Sequence, residues 1–220
     1  MPFKEVVGAV KRSFFTWAGS SCTDLYFLYG GTSASTTTNL TMGQGEKPDD
    51  QNMIIWREKW PPTGTSNGLL TKDVPAVTTV MYEQRNGVIF DADIDLNGQF
   101  FYWTTTSDKT KIATDIQNTV THEIGHLLGL AHADKKESTM YAQTYQGETL
   151  KRTLHHDDVQ GLCAVYPYGK STPKGPNQGE VEDDVQGGCE VARDPTPAAW
   201  FLLLLVLAAA RRRAVTPSRR

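Results

Sequence analysis

The sequence predicts an α+β domain over residues 1–168. Three observations carry that prediction: an amphipathic helical pattern at the start, an alternating segment at residues 88–96, and a histidine-rich helical segment at residues 116–128. The chain has 220 residues, 39% of them hydrophobic, enough for one domain with a sizeable core and some chain to spare. Its 22 basic and 25 acidic residues give a net charge of −3, which argues against a nucleic-acid partner, since that needs a basic footprint. The mean hides an asymmetry. Residues 1–168 carry 14 basic and 19 acidic groups, a net −5, whereas residues 190–220 carry 6 and 2, a net +4.

Val6, Val7, Val10, Phe14 and Trp17 fall at helical spacing and predict a first amphipathic helix. In residues 88–96, Ala92, Ile94 and Leu96 face one way and Asp91, Asp93 and Asp95 the other, which predicts a half-buried strand with a solvated acidic face. The run from Asp93 to Gly98 also fits the opening of a Ca²⁺ loop, but the twelfth loop position is Thr104 rather than Glu. Asp115 stands at the head of the next helix, where Ile116, Val120, Ile124, Leu127 and Leu128 form an apolar stripe. His155 and His156 precede a last helix. They read as a helix N-terminal pair, with Asp157 and Asp158 favourable in the first turn, rather than as further ligands.

The chemistry is concentrated in residues 122–132, which fit H-E-x-x-H-x-x-G-x-x-H. His122 and His126 are four residues apart, so both imidazoles leave one helix face and can bind one Zn²⁺. Glu123 sits beside the first ligand and can act as general base on a metal-bound water. Gly129 ends the helix in a left-handed turn that brings His132 back as the third ligand. Three neutral imidazoles leave a fourth position open, as a catalytic zinc site requires.

This arrangement resembles the metzincin metalloproteases, which add a methionine-containing turn beneath the zinc. Met140, in Ser138-Thr139-Met140-Tyr141, stands at the right distance for that turn. Ala142 occupies the place where astacins and serralysins carry a zinc-binding Tyr, and the Met-Tyr pair is similar to that of the matrixins. The matrixin resemblance extends over residues 6–168. It takes in Ser13-Phe14-Phe15-Thr16-Trp17 in the first helix, Asn52-Met53-Ile54-Ile55-Trp56 in a strand, Asp91-Ala92-Asp93-Ile94, and Asp157 to Leu162 in the last helix. It implies a zincin-like fold, a mixed twisted sheet with a zinc-binding helix and a C-terminal helix. It also implies that residues 88–96 are the edge strand that pairs with an extended protein or peptide substrate. No cysteine-switch motif is present.

Residues 169–188 are rich in Gly, Pro and acid and predict a flexible spacer. Residues 198–210 are an apolar run of 13, short for a membrane span, followed by Arg211, Arg212 and Arg213. With Gly187-Gly188-Cys189, residues 189–220 resemble the MYXO-CTERM sorting tails of Gram-negative bacteria. That resemblance implies export, processing near Cys189 as an anchor, and retention at a bacterial cell surface through a transmembrane helix. In an exported chain Cys22 and Cys163 can form one disulfide. Residues 1–21 hold no signal-peptide apolar stretch, and a matrixin-like domain would have a strand before its first helix, so Met1 is expected to be an internal start or the chain a fragment.

The expected activity is that of a monomeric zinc endopeptidase on extracellular proteins. Two other readings stay open: a zinc hydrolase of a non-peptide amide such as a cell-wall bond, and an inactive surface-anchored binding module.

Overall fold

A computed structural model describes residues 1–41, 51–61, 70–169 and 184–191, the last stretch as backbone. The chain opens in helix α1 (Phe3–Ala18), whose deepest positions, Ala9, Ser13 and Trp17, recur every four residues along one face. Val6, Val10 and Phe14 pack at the flanks of that face. Strands β1 (Ile54–Arg57), β2 (Ala76–Tyr82) and β3 (Ile89–Asn97) follow. A short parallel pair, β4 (Trp103–Thr104) and β5 (Thr114–Asp115), leads into helix α2 (Ile116–Leu127). Strand β6 (Gln143–Thr144), helix α3 (His156–Val165) and strand β7 (Asp184–Val191) complete the order.

The main sheet is mixed, with strand order β1-β3-β2-β7-β6. β1 runs parallel to β3, β2 runs antiparallel to both β3 and β7, and β6 runs parallel to β7. One face of β3 packs Ile94 and Leu96 with Trp17, Ile116, Val120, Ile124, Leu128 and Met140. Trp17 locks the two helices together, its ring N–H donating to Thr121 O at 2.8 Å. A smaller core of Leu40, Trp60, Val74 and Val77 lies apart from this cluster.

Three expectations need correction. β3 is an interior strand between β1 and β2, so residues 88–96 are not an edge strand; among the described residues the edges of the sheet are β1 and β6. Its acidic face is not solvated: Asp91, Asp93 and Asp95 are buried. They lie under the chain that leads into β1. Asp93 accepts from the backbone N–H of Asn39 and of Met53, each at 2.8 Å, and Asp95 pairs with Arg57 at 2.5 Å and accepts from Thr38. Those contacts occupy the carboxylates that a Ca²⁺ loop would need, and the segment is strand. The expected spacer also ends early, because residues 184–188 belong to β7, which spans the expected boundary at residues 188 and 189. The apolar run at 198–210 lies outside the described residues. Among those described, no helix is long and apolar enough to cross a membrane.

Cys22 and Cys163 are joined as a disulfide with Cα atoms 5.6 Å apart, tying the end of the α1 segment to α3.

Candidate active site

Helix α2 positions the site. Asp115 caps it, accepting from Asn118 N–H at 2.8 Å, and Arg152 in turn holds the Asp115 carboxylate. The helix ends in a Schellman arrangement. Gly129, at φ +83°, donates to His126 O at 2.8 Å and Leu130 donates to Gly125 O at 2.9 Å. A Cβ at residue 129 would be strained in that conformation, so glycine is what lets the chain reverse and return His132 toward the helix.

The three imidazoles converge. The Nε2 atoms of His122 and His126 are 3.2 Å apart, those of His122 and His132 3.3 Å, and those of His126 and His132 3.0 Å. Ligands at about 2.0–2.1 Å from a tetrahedral Zn²⁺ would sit roughly 3.3 Å from one another, so the triad fits one such ion. The opposite ring nitrogens support it. His122 Nδ1 donates to Thr139 O at 2.6 Å and His126 Nδ1 to Leu130 O at 2.8 Å, which leaves each Nε2 as an acceptor. Burial is the first cause that holds both rings neutral: it pushes His122 well below the usual histidine range and His126 down to about 4. A neutral imidazole is the form that binds metal. Among the described residues, this is the cluster in which three such donors meet.

Glu123 is fully buried beside the triad, and the Thr78 hydroxyl of β2 donates to its Oε2 at 2.6 Å. Beneath the histidines lies Met140. A Cβ on Gly125 would overlap Met140 Sδ and fall 2.9 Å from Trp17, so the missing side chain is what lets α2 rest this closely on that turn. Asp158 shapes the turn from below. Its carboxylate accepts from Ser138 Oγ, from Thr139 N–H at 2.8 Å, from Met140 N–H at 3.0 Å and from His155 N–H at 2.8 Å. His155 caps α3 with its own Nδ1, and His156 lies in the first turn of α3, as a helix N-terminal pair would.

Sequence reasoning missed three supports of this site. Thr78, Asp158 and the buried Lys151 act on it from 45, 18 and 10 residues away. Lys151 Nζ donates to Tyr141 O at 2.6 Å and Gln143 O at 2.8 Å, fixing the β6 wall. The signal for Asp158 was present, since an acid at a helix start is a natural capping partner, but its reach to the methionine turn is tertiary. Along α2, a cavity of about 240 Å³ is lined by Asn118, Thr119, Thr144, Tyr145 and Phe100. Cys189 falls in β7, its backbone opposite Ala76.

Comparison with known proteins gives the same picture. Residues 59–167 match the family model described as Matrixin. Human neutrophil collagenase is 33% identical over 181 residues, covering 77% of this chain and 32% of that protein. Metalloendoproteinase 4-MMP of Arabidopsis thaliana is 39% identical over 59 residues, 27% of this chain and 17% of that protein. Metalloendoproteinase 1 of Glycine max is 37% identical over 81 residues, 35% of this chain and 24% of that protein. The chain therefore spans a third or less of the length of these relatives. It carries a matrixin-like metalloprotease domain with a zincin-like α+β fold.

Proposed function

We propose that this chain, through its matrixin-like domain, is a zinc endopeptidase that hydrolyses peptide bonds of extracellular proteins. The observation that carries the reading is the convergence of His122, His126 and His132 Nε2 within 3.3 Å of one another, with Glu123 buried beside them. His122, His126 and His132 would hold Zn²⁺, which when bound supplies a Lewis acid for the scissile carbonyl and lowers the pKa of water. Glu123 takes the proton of the attacking water and passes it to the leaving amine. Thr78 orients the Glu123 carboxylate through its 2.6 Å hydrogen bond. Met140 and Gly125 form the floor that keeps the histidines in register. The cavity beside Asn118 and Thr119, lined also by Phe100, Phe101, Tyr102 and Tyr145, takes one substrate side chain.

The Cys22–Cys163 disulfide supports an exported location, where such bonds persist. The relatives named as a collagenase and metalloendoproteinases support a protein substrate. Attachment to a membrane through residues 198–210, with Cys189 near the processing point, is part of the same proposal and rests on the sequence.

A purified full chain loaded with zinc should cut peptides from a library digest and lose that activity on chelation, with Glu123→Gln inactive yet still holding zinc. A zinc-bound chain that cuts no peptide, or a Glu123→Gln chain that cuts as well as the unaltered one, would overturn the reading.

A further inference from the structure

We propose that Asp184–Val191 is the resident ligand of the active-site cleft, a strand of the chain itself held between β2 and β6 where a substrate peptide has to lie. The sheet order carries this. β2 and β6 are not bonded to each other; β7 is the strand between them, antiparallel to β2 and parallel to β6. Two strand spacings separate the walls, roughly 9–10 Å, so without β7 the gap is one extended peptide wide. Backbone N–H and C=O groups line both sides of it, which is how a cleft recognises a peptide by strand addition.

The register puts the chemistry in the same gap. Gly187 lies opposite Thr78, whose hydroxyl holds Glu123. Glu190 lies opposite Gln143, just beyond the methionine turn, on the wall that Lys151 fixes. The stretch from residue 187 to residue 190 therefore passes the level of the catalytic carboxylate, and β7 contacts α2 directly. Gly187 and Gly188 bring no Cβ to that level. A substrate and β7 cannot share the gap, so β7 competes with substrate from within the chain. The part that concerns substrate rests on the peptidase reading; the placement of β7 does not.

The test compares the full zinc-loaded chain with a double variant, Gln186→Pro with Gly187→Pro. Neighbouring strand residues point their N–H groups to opposite edges, so this pair removes ladder bonds to at least one wall. Asn177→Pro with Gln178→Pro, outside the strand, is the control. Backbone amide exchange at residues 76–81 should quicken at least tenfold in the β7 variant and stay unchanged in the control. KM for a short fluorogenic peptide should fall at least fivefold with kcat unchanged, and a synthetic peptide of residues 184–191 with Cys189→Ser should compete with that substrate. Equal exchange at β2 in all three chains, or a KM that does not move while peptides are being cut, overturns the proposal. Faster exchange at β2 with no peptide cut by any chain upholds the position of β7 and defeats the peptidase reading instead.

Discussion

Helix α2 and strand β3 both bury charged and polar side chains, but they do so on different terms. In α2, His122, Glu123 and His126 are held by groups supplied near the site itself: Thr139 O, Leu130 O and the Thr78 hydroxyl. In β3, Asp91, Asp93 and Asp95 stand on one face in alternate positions, and the partners of Asp93 and Asp95 come from residues 38–57. The helix buries polar groups that gather at one point. The strand buries them to clamp the chain that leads into β1, and burial pushes Asp93 up to about 7 against the pull of two backbone N–H donors. Buried polarity is thus not by itself a mark of an active site. What separates the two cases is whether the groups converge on a common point.

The largest effect that would sharpen this contrast is kinetic. Glu123→Gln should lower kcat/KM for peptide cleavage by about 10³-fold, the range for removing a general base, while thermal unfolding stays near that of the unaltered chain. A comparable loss of activity from Arg57→Ala without loss of stability would break the contrast. That substitution should instead destabilise the fold by about 3–5 kcal/mol, because it leaves the Asp95 carboxylate buried and unpaired; urea unfolding measures it. Gly125→Ala comes next. Its added methyl must displace Met140 and Trp17, at a cost of about 1–3 kcal/mol, and zinc affinity should weaken with it.

The most gradual effect is the pH slope of Asp93. Its carboxyl titrates near 7 in the folded chain and near 3.8 when unfolded, so the fold retains a proton that the unfolded chain has released. Its own contribution to stability then declines as pH rises from about 4 to about 7, by up to about 1.4 kcal/mol per unit, and is level above that, while the lowered His122 and His126 act in the opposite sense. Asp93→Asn should flatten the slope between pH 4.5 and 7.5 in urea titrations. An unchanged slope would remove Asp93 from the account.

The same contrast explains what could be read in advance. α2, its glycine exit and the methionine turn are short-range features: a 3.6-residue stripe, a motif of fixed spacing and a left-handed glycine all declare themselves within about 25 residues. The alternation in residues 88–96 also gave the strand. Which face of it meets water is a property of what covers it, and Thr38, Asn39, Met53 and Arg57 lie about 40 to 60 residues upstream. Strand order is equally nonlocal, so β2 could not be seen as the strand beside the cleft. β7 was hidden for another reason. Gly, Gln and acid in residues 184–190 carry almost none of the apolar alternation by which a strand is recognised, and its pairing is made by backbone.

The disulfide joins Cys22 and Cys163 across a sequence separation of 141, with the whole of the triad, the methionine turn and the sheet strands β1 to β6 between them. Exposed surface loops are the first places where proteases nick a folded chain. With this staple in place, a single cut anywhere within the loop severs the sequence but not the molecule. The two pieces stay on one covalent body and part company only when the bond is reduced.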